Sequence, residues 1–137
     1  MRPQRFADFV IDVVKNDPTA SRVQTLAEVA DTKHPCGVAI TRAGASDETR
    51  WQFVGQLPEG AKHESFVDEP VTGALVPAGP EPQATDEPEA WFAAVLAHAE
   101  CPEIAAIERW STRPEPSSQK GMTVTFHNGA RIFARVL

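Results

Sequence analysis

Tyrosine is absent from this chain of 137 residues, and cysteine occurs only twice, as Cys36 and Cys101. Two cysteines make no disulfide framework, so cytosolic residence is the expectation. No apolar run comes near the roughly 18 residues that a membrane-spanning helix needs. Asp8 and Asp12 interrupt the N-terminal apolar stripe, so no signal-peptide pattern is read there. The eight glycines are dispersed and form no phosphate-cradling loop, and no cofactor motif is found. Lysine is also scarce, while Ala, Val, Arg and Pro are plentiful. That bias is the one a GC-rich bacterial genome imposes.

What is present is an ordinary globular composition, 42% hydrophobic and 23% charged. A chain of this length buries roughly two-thirds of its unfolded surface and forms one domain, 1–137, without staples. The net charge of −6 is unevenly spread. Residues 1–58 are balanced, residues 59–108 hold one basic and eleven acidic side chains, and residues 109–137 hold five basic and one acidic. An acidic total argues against general nucleic-acid binding, whereas the polarity between segments can steer a partner.

The helical signals come first. Phe6, Phe9, Val10, Val13 and Val14 form one stripe, predicting a helix over 3–16 that Pro18 stops. Trp91, Phe92, Val95, Leu96 and Ala99 form a second stripe ended by Pro102, with Asp86 as N-cap and Glu89 in capping-box register. Laid over one another, Phe9, Val10, Val13 and Val14 fall on Trp91, Phe92, Val95 and Leu96. Ser21–Ala30 fits both a helical and an alternating period. Its likeness to Ile104–Trp110, which also follows a helix and a proline, assigns it to strand.

Val38 and Ile40, then Trp51 and Phe53, alternate on either side of the polar turn Gly44–Glu48, which reads as a hairpin. The proline-rich acidic stretch 57–85 is a linker, with short strands at Ser65–Val67 or Gly73–Val76 as its only regular structure and 77–86 as its most mobile part. In the last hairpin, a two-residue turn at Asn128-Gly129 would mix apolar and charged residues on each face. A three-residue loop, His127-Asn128-Gly129, pairs Phe126 with Ala130, Val124 with Ile132 and Met122 with Ala134. A one-residue slip exchanges faces, so burial selects the second register, with Gly129 left-handed.

The order is thus α-β-β-β, linker, α-β-β-β. The expected fold is α+β: two α-β-β-β pseudo-repeats, 1–56 and 86–137, forming antiparallel sheet covered by two helices.

Candidate chemistry is sparse. His34, Cys36, His98 and Cys101 supply a zinc-type ligand set, but His-x-Cys is not a usual knuckle spacing and buried free thiols explain both cysteines. A Cys–His nucleophile lacks any supporting local pattern. Glu64, Asp68 and Glu69 read as a solvated acidic face. Neither a catalytic residue nor a metal is therefore assigned, and the chain leans away from being an enzyme. The remaining candidate is the outer face of the last hairpin and its surroundings: Arg109, Trp110, Arg113, Lys120, Thr125, Arg131, Phe133 and Arg135. Cations mixed with aromatics dominate protein hot spots, and they also stack bases and neutralise phosphates. The plainer alternative is that Phe133 packs under a helix and the arginines reach to water. The leading expectation is a small non-enzymatic protein that binds a protein partner or its own copy. The alternatives are a nucleic-acid-binding accessory protein using the basic hairpin, and an enzyme or zinc-dependent module with a site between the halves. The first hairpin carries Gln52 and Val54 where the second carries Arg131 and Arg135, so function is expected in that difference.

Overall fold

The structure is a computed structural model that describes residues 1–115 and 117–137. Helix α1 spans Pro3–Lys15, and strands β1 (Ala20–Thr25), β2 (Gly37–Arg42) and β3 (Glu48–Gln56) follow. Helix α2 spans Pro88–His98, followed by β4 (Ile104–Arg109), β5 (Gly121–Phe126) and β6 (Arg131–Val136). The six strands form one antiparallel sheet in the order β1-β2-β3-β6-β5-β4. The protein is therefore α+β. No helix among the described residues is long and apolar enough to cross a membrane.

Both helices start on a proline at the first helical position, where a missing N–H costs nothing. They lie on the same face of the sheet and bury their stripes there. Phe6 of α1 meets Phe53 of β3 edge-on at 4.8 Å, and Phe92 of α2 meets Trp51 of β3 at 4.6 Å. Phe6 also reaches Phe126 of β5. Aromatic pairs in this geometry add to the burial of their area. Each helix is also tied to the other half of the chain. The Trp91 indole donates to the Thr19 hydroxyl at 2.8 Å, and Arg42 donates to the Asp86 carbonyl. From α1, Arg5 bridges Glu103 (2.8 Å) and Asp68 (2.9 Å).

The last hairpin has the register that burial demands. Met122 stands opposite Ala134 and Val124 opposite Ile132, and Phe126 donates to the Ala130 carbonyl. Gly129 has φ +89. Gly37 and Gly121 are required by close approach instead. A Cβ on Gly37 would lie 2.0 Å from the Trp51 carbonyl oxygen, with Leu26 beyond, and one on Gly121 would lie 2.4 Å from the Ala134 carbonyl oxygen, with Trp110 beyond. So Leu26 caps one end of the sheet and Trp110 the other, each over a glycine.

Three expectations are corrected. Ser21–Ala30 is strand only to Thr25, and then turns through a short 3-10 helix, Ala27–Val29. The turn seats Leu26, only 2% exposed, over Gly37. Asp86 is not the cap of α2: Pro88 sets the start, Glu87 holds the cap position without a side-chain bond, and Asp86 accepts from the Gln83 N–H. The segment 57–85 forms no strand at Ser65–Val67 or Gly73–Val76. It is held instead by single bonds, such as Gly73 N–H to the Pro102 carbonyl and Asp68 to the Arg2 N–H and Arg5. Asp68 is thereby a clamp partner, not part of a set with Glu64 and Glu69, and the Arg5 guanidinium holds its carboxyl well below the usual aspartate range.

Gly129→Ala should destabilise the fold by about 1–2 kcal/mol, the cost of a left-handed non-glycine residue, read from denaturant unfolding. An unchanged unfolding midpoint would mean that the left-handed backbone at Gly129 carries no such cost.

Candidate partner-binding face

The helices cover one face of the sheet, and the centre of the other is open. Residues alternate along β6: Arg131 and Arg135 are exposed, Phe133 is half-buried, and Ile132 and Ala134 between them are buried in the core. The ladder to β3 sets Arg135 opposite Gln52, Phe133 opposite Val54 and Arg131 opposite Gln56. The ladder to β5 sets Phe133 opposite Thr123 and Arg131 opposite Thr125. Beyond Thr123 lies Trp110, whose indole donates to the Thr123 hydroxyl at 2.9 Å. Val54, Phe133 and Trp110 therefore make an apolar row across the sheet, and Val54 is 46% exposed.

Cations surround the row. Arg135 donates to Gln52 Oε1 at 2.7 Å, which orients the guanidinium along the sheet. Arg113 lies over the Trp110 ring at 5.7 Å and pairs with Glu108 at 3.5 Å. Arg131 has no ion-pair partner among the described residues. A partner that brings carboxylates to this rim and an apolar centre to the row finds both charge and shape complementarity.

Two of the residues expected on this face serve elsewhere. Arg109 lies on the helix-covered side. A bulge between Ile104 and Ala106 shifts the alternation of β4 by one, so Ile107 and Arg109 face the helices, opposite Val124 and Met122. There the Arg109 Nε donates to Glu89 at 3.0 Å, and Glu87 lies 3.6 Å from the guanidinium. Lys120 approaches Glu87 at 3.7 Å, on the rim of the same cluster. Trp110, Arg113, Thr125, Arg131, Phe133 and Arg135 remain together on the open side.

Glu89 is the charged residue that the sequence pattern hid. Its side chain is fully buried. It accepts from Arg109, from the Ser111 hydroxyl and, at 3.0 Å, from the Gly121 N–H. Burial pushes its carboxyl up, but the bonds from Ser111, Gly121 and Arg109 outweigh burial and hold it below the ordinary glutamate value. The cluster fastens α2 to the start of β5, directly behind Trp110. The signal was present: Glu89, Phe92 and Leu96 share one stripe of α2.

Three of the four zinc candidates are engaged separately, and Cys101 packs partly buried against the core. His34 Nδ1 is 2.9 Å from Asp31, His98 Nε2 faces the Gly79 and Pro80 carbonyls at 3.1 and 3.0 Å, and the Cys36 sulfur lies by Gln4 at 4.0 Å. Among the described residues no three His, Cys, Asp or Glu side chains gather as a ligand set. Burial and Asp8 push the Cys36 thiol up, the reverse of what a nucleophile needs.

Comparison of the chain with protein-family models, with curated proteins and with solved structures found no match.

Because the folded Glu89 carboxyl titrates below its unfolded value, its contribution to stability is present at neutral pH and is lost as pH falls through the folded value. Glu89→Gln should cost about 2 kcal/mol at neutral pH and flatten the acid limb of stability against pH. Unfolding midpoints of both proteins from pH 7 down to about 3 measure this. Parallel curves would mean that the carboxylate contributes nothing through its charge.

Proposed function

We propose that this is a non-enzymatic binding protein whose open sheet face docks another protein, with a second copy of the chain as one candidate partner. The observation that carries the reading is the row Val54–Phe133–Trp110, which the protein's own helices leave uncovered while arginines ring it. Large apolar side chains beside arginine are the groups that dominate protein interfaces. The acidic stretch 59–108 gives a second copy a surface of opposite charge. On the helix-covered side, the buried Glu89 carboxylate is engaged by Arg109, Ser111 and the Gly121 N–H.

The same reading treats the two halves as copies of one α-β-β-β unit. The pairing of β1 with β2 supports it. Val23 opposite Ile40 and Thr25 opposite Val38 recur as Ile107 opposite Val124 and Arg109 opposite Met122. Even the bulge recurs, before Arg22 and again before Ala106. Leu26 over Gly37 then corresponds to Trp110 over Gly121. On this reading Gln52 and Arg135, which face each other at the centre of the sheet, occupy equivalent places, and the cation at that place belongs to the second copy.

Arg131→Glu combined with Arg135→Glu should abolish the association, read as native mass by sedimentation and as co-purification from the source cell, with folding intact because both side chains are exposed. An unchanged mass and an unchanged set of associated proteins would remove this face from consideration. Salt-sensitive binding of single-stranded nucleic acid, lost in the double variant, would reassign it to nucleic acid.

A further inference from the structure

We infer that the groove beside β4 accepts an extended cationic peptide as a seventh strand of the sheet. β4 ends the strand order, so one side of it has no neighbouring strand. Glu108 and Ala106 stand opposite Thr123 and Thr125, and Trp110 donates to the Gly121 carbonyl at 3.0 Å. In an antiparallel ladder the main-chain groups alternate between the two sides. Those of Ile107 and Arg109 therefore point to the free edge.

The edge is open because of what α2 places beside it. The helix presents Ala90, Ala93, Ala94 and Ala97 towards β4, and these methyl groups stop short of the strand. A groove of about 520 Å³ remains between α2, Ala105–Ile107 and the linker at 76–81. That volume is within the range of ligand-binding clefts. The linker walls the groove without occupying the edge. Its main-chain anchors include the Gly73 N–H on the Pro102 carbonyl, the Ala74 carbonyl at His127 and the Gly79 and Pro80 carbonyls at His98. A bare edge with an adjoining apolar groove is the arrangement that strand addition uses: main-chain bonds supply affinity and alternate side chains enter the groove.

Charge selects the peptide. Glu81 and Asp86 line the groove, and the segment that contains them is the acidic one. The single cation in the lining, Arg109, is turned to Glu89 and Glu87. Side chains facing the alanines must be aliphatic, and the others should carry lysine or arginine. The site is separate from the open sheet face, and either can fail alone.

The probe is a fluorescein-labelled peptide of alternating lysine and valine, seven residues long, titrated with the full chain and followed by anisotropy. Binding should weaken about tenfold or more in Ala94→Leu, which fills the groove with a good helix former. It should be unaffected by Arg131→Glu with Arg135→Glu. Amide exchange at Ile107 and Arg109 should slow when the peptide is present. The inference is overturned if the peptide does not bind at millimolar concentration or if a glutamate–valine peptide binds equally well. It is also overturned if affinity survives Ala94→Leu but not the arginine pair, which would place the peptide on the open face.

Discussion

The ladder between β3 and β6 is the contact on which the rest of the molecule depends. The pairs β1–β2, β2–β3, β4–β5 and β5–β6 are local along the chain, whereas Trp51 opposite Val136 joins residues far apart in the sequence. Without that ladder there would be two three-stranded sheets with one helix each, and neither would be wide enough to bury an aromatic helix face. With it, Phe6, Phe53, Phe92 and Trp51 pack as one cluster above the junction. Each such side chain contributes about 1.5–3 kcal/mol by burial. The same ladder builds the opposite face, since Val54 meets Phe133 only across it.

Glu89 solves a second problem. Hydrophobic burial holds α2 against the sheet but is indifferent to small slides along it. A buried carboxylate is costly unless its hydrogen bonds are met, and Arg109, Ser111 and the Gly121 N–H meet them in one position of the helix only. The helix is thereby located relative to β4 and β5. With α2 fixed, both the alanine-lined groove and the seat of Trp110 are fixed too. The open sheet carries the exposed Arg131 and Arg135 together with two acids of its strands, Glu48 and Glu108.

Where burial alone decides, the sequence is legible. The register of the last hairpin follows from a period of two, because a slip would bury Arg131 and Arg135 and expose Ile132 and Ala134. Helix α1 follows from its stripe for the same reason. Legibility fails where a local pattern competes with a long-range one. Ser21–Ala30 fits two periods, and the choice rests on Leu26 reaching Gly37, a contact outside the segment. The spacing of Asp86 and Glu89 imitates a capping box, but Pro88 starts the helix and turns Glu89 inward. Arg109 was expected among the open-face cations because it lies near them in sequence, and one extra residue at Ala105 turns it towards the helices. Arg131, Phe133 and Arg135 were legible because β6 alternates without a bulge.

The position of β3 in the chain has a consequence for folding order. β3 is the longest strand, Glu48–Gln56, and its partner β6 lies at the far end of the sequence. As the chain leaves the ribosome, the first helix and hairpin can assemble while Phe53 and Val54 wait on an unpaired edge. Closing so distant a contact is slow relative to local pairing, and exposed strand edges of this kind recruit other chains. The nascent protein therefore carries its greatest aggregation hazard between completing β3 and completing β6, an interval set by how long the second half takes to emerge.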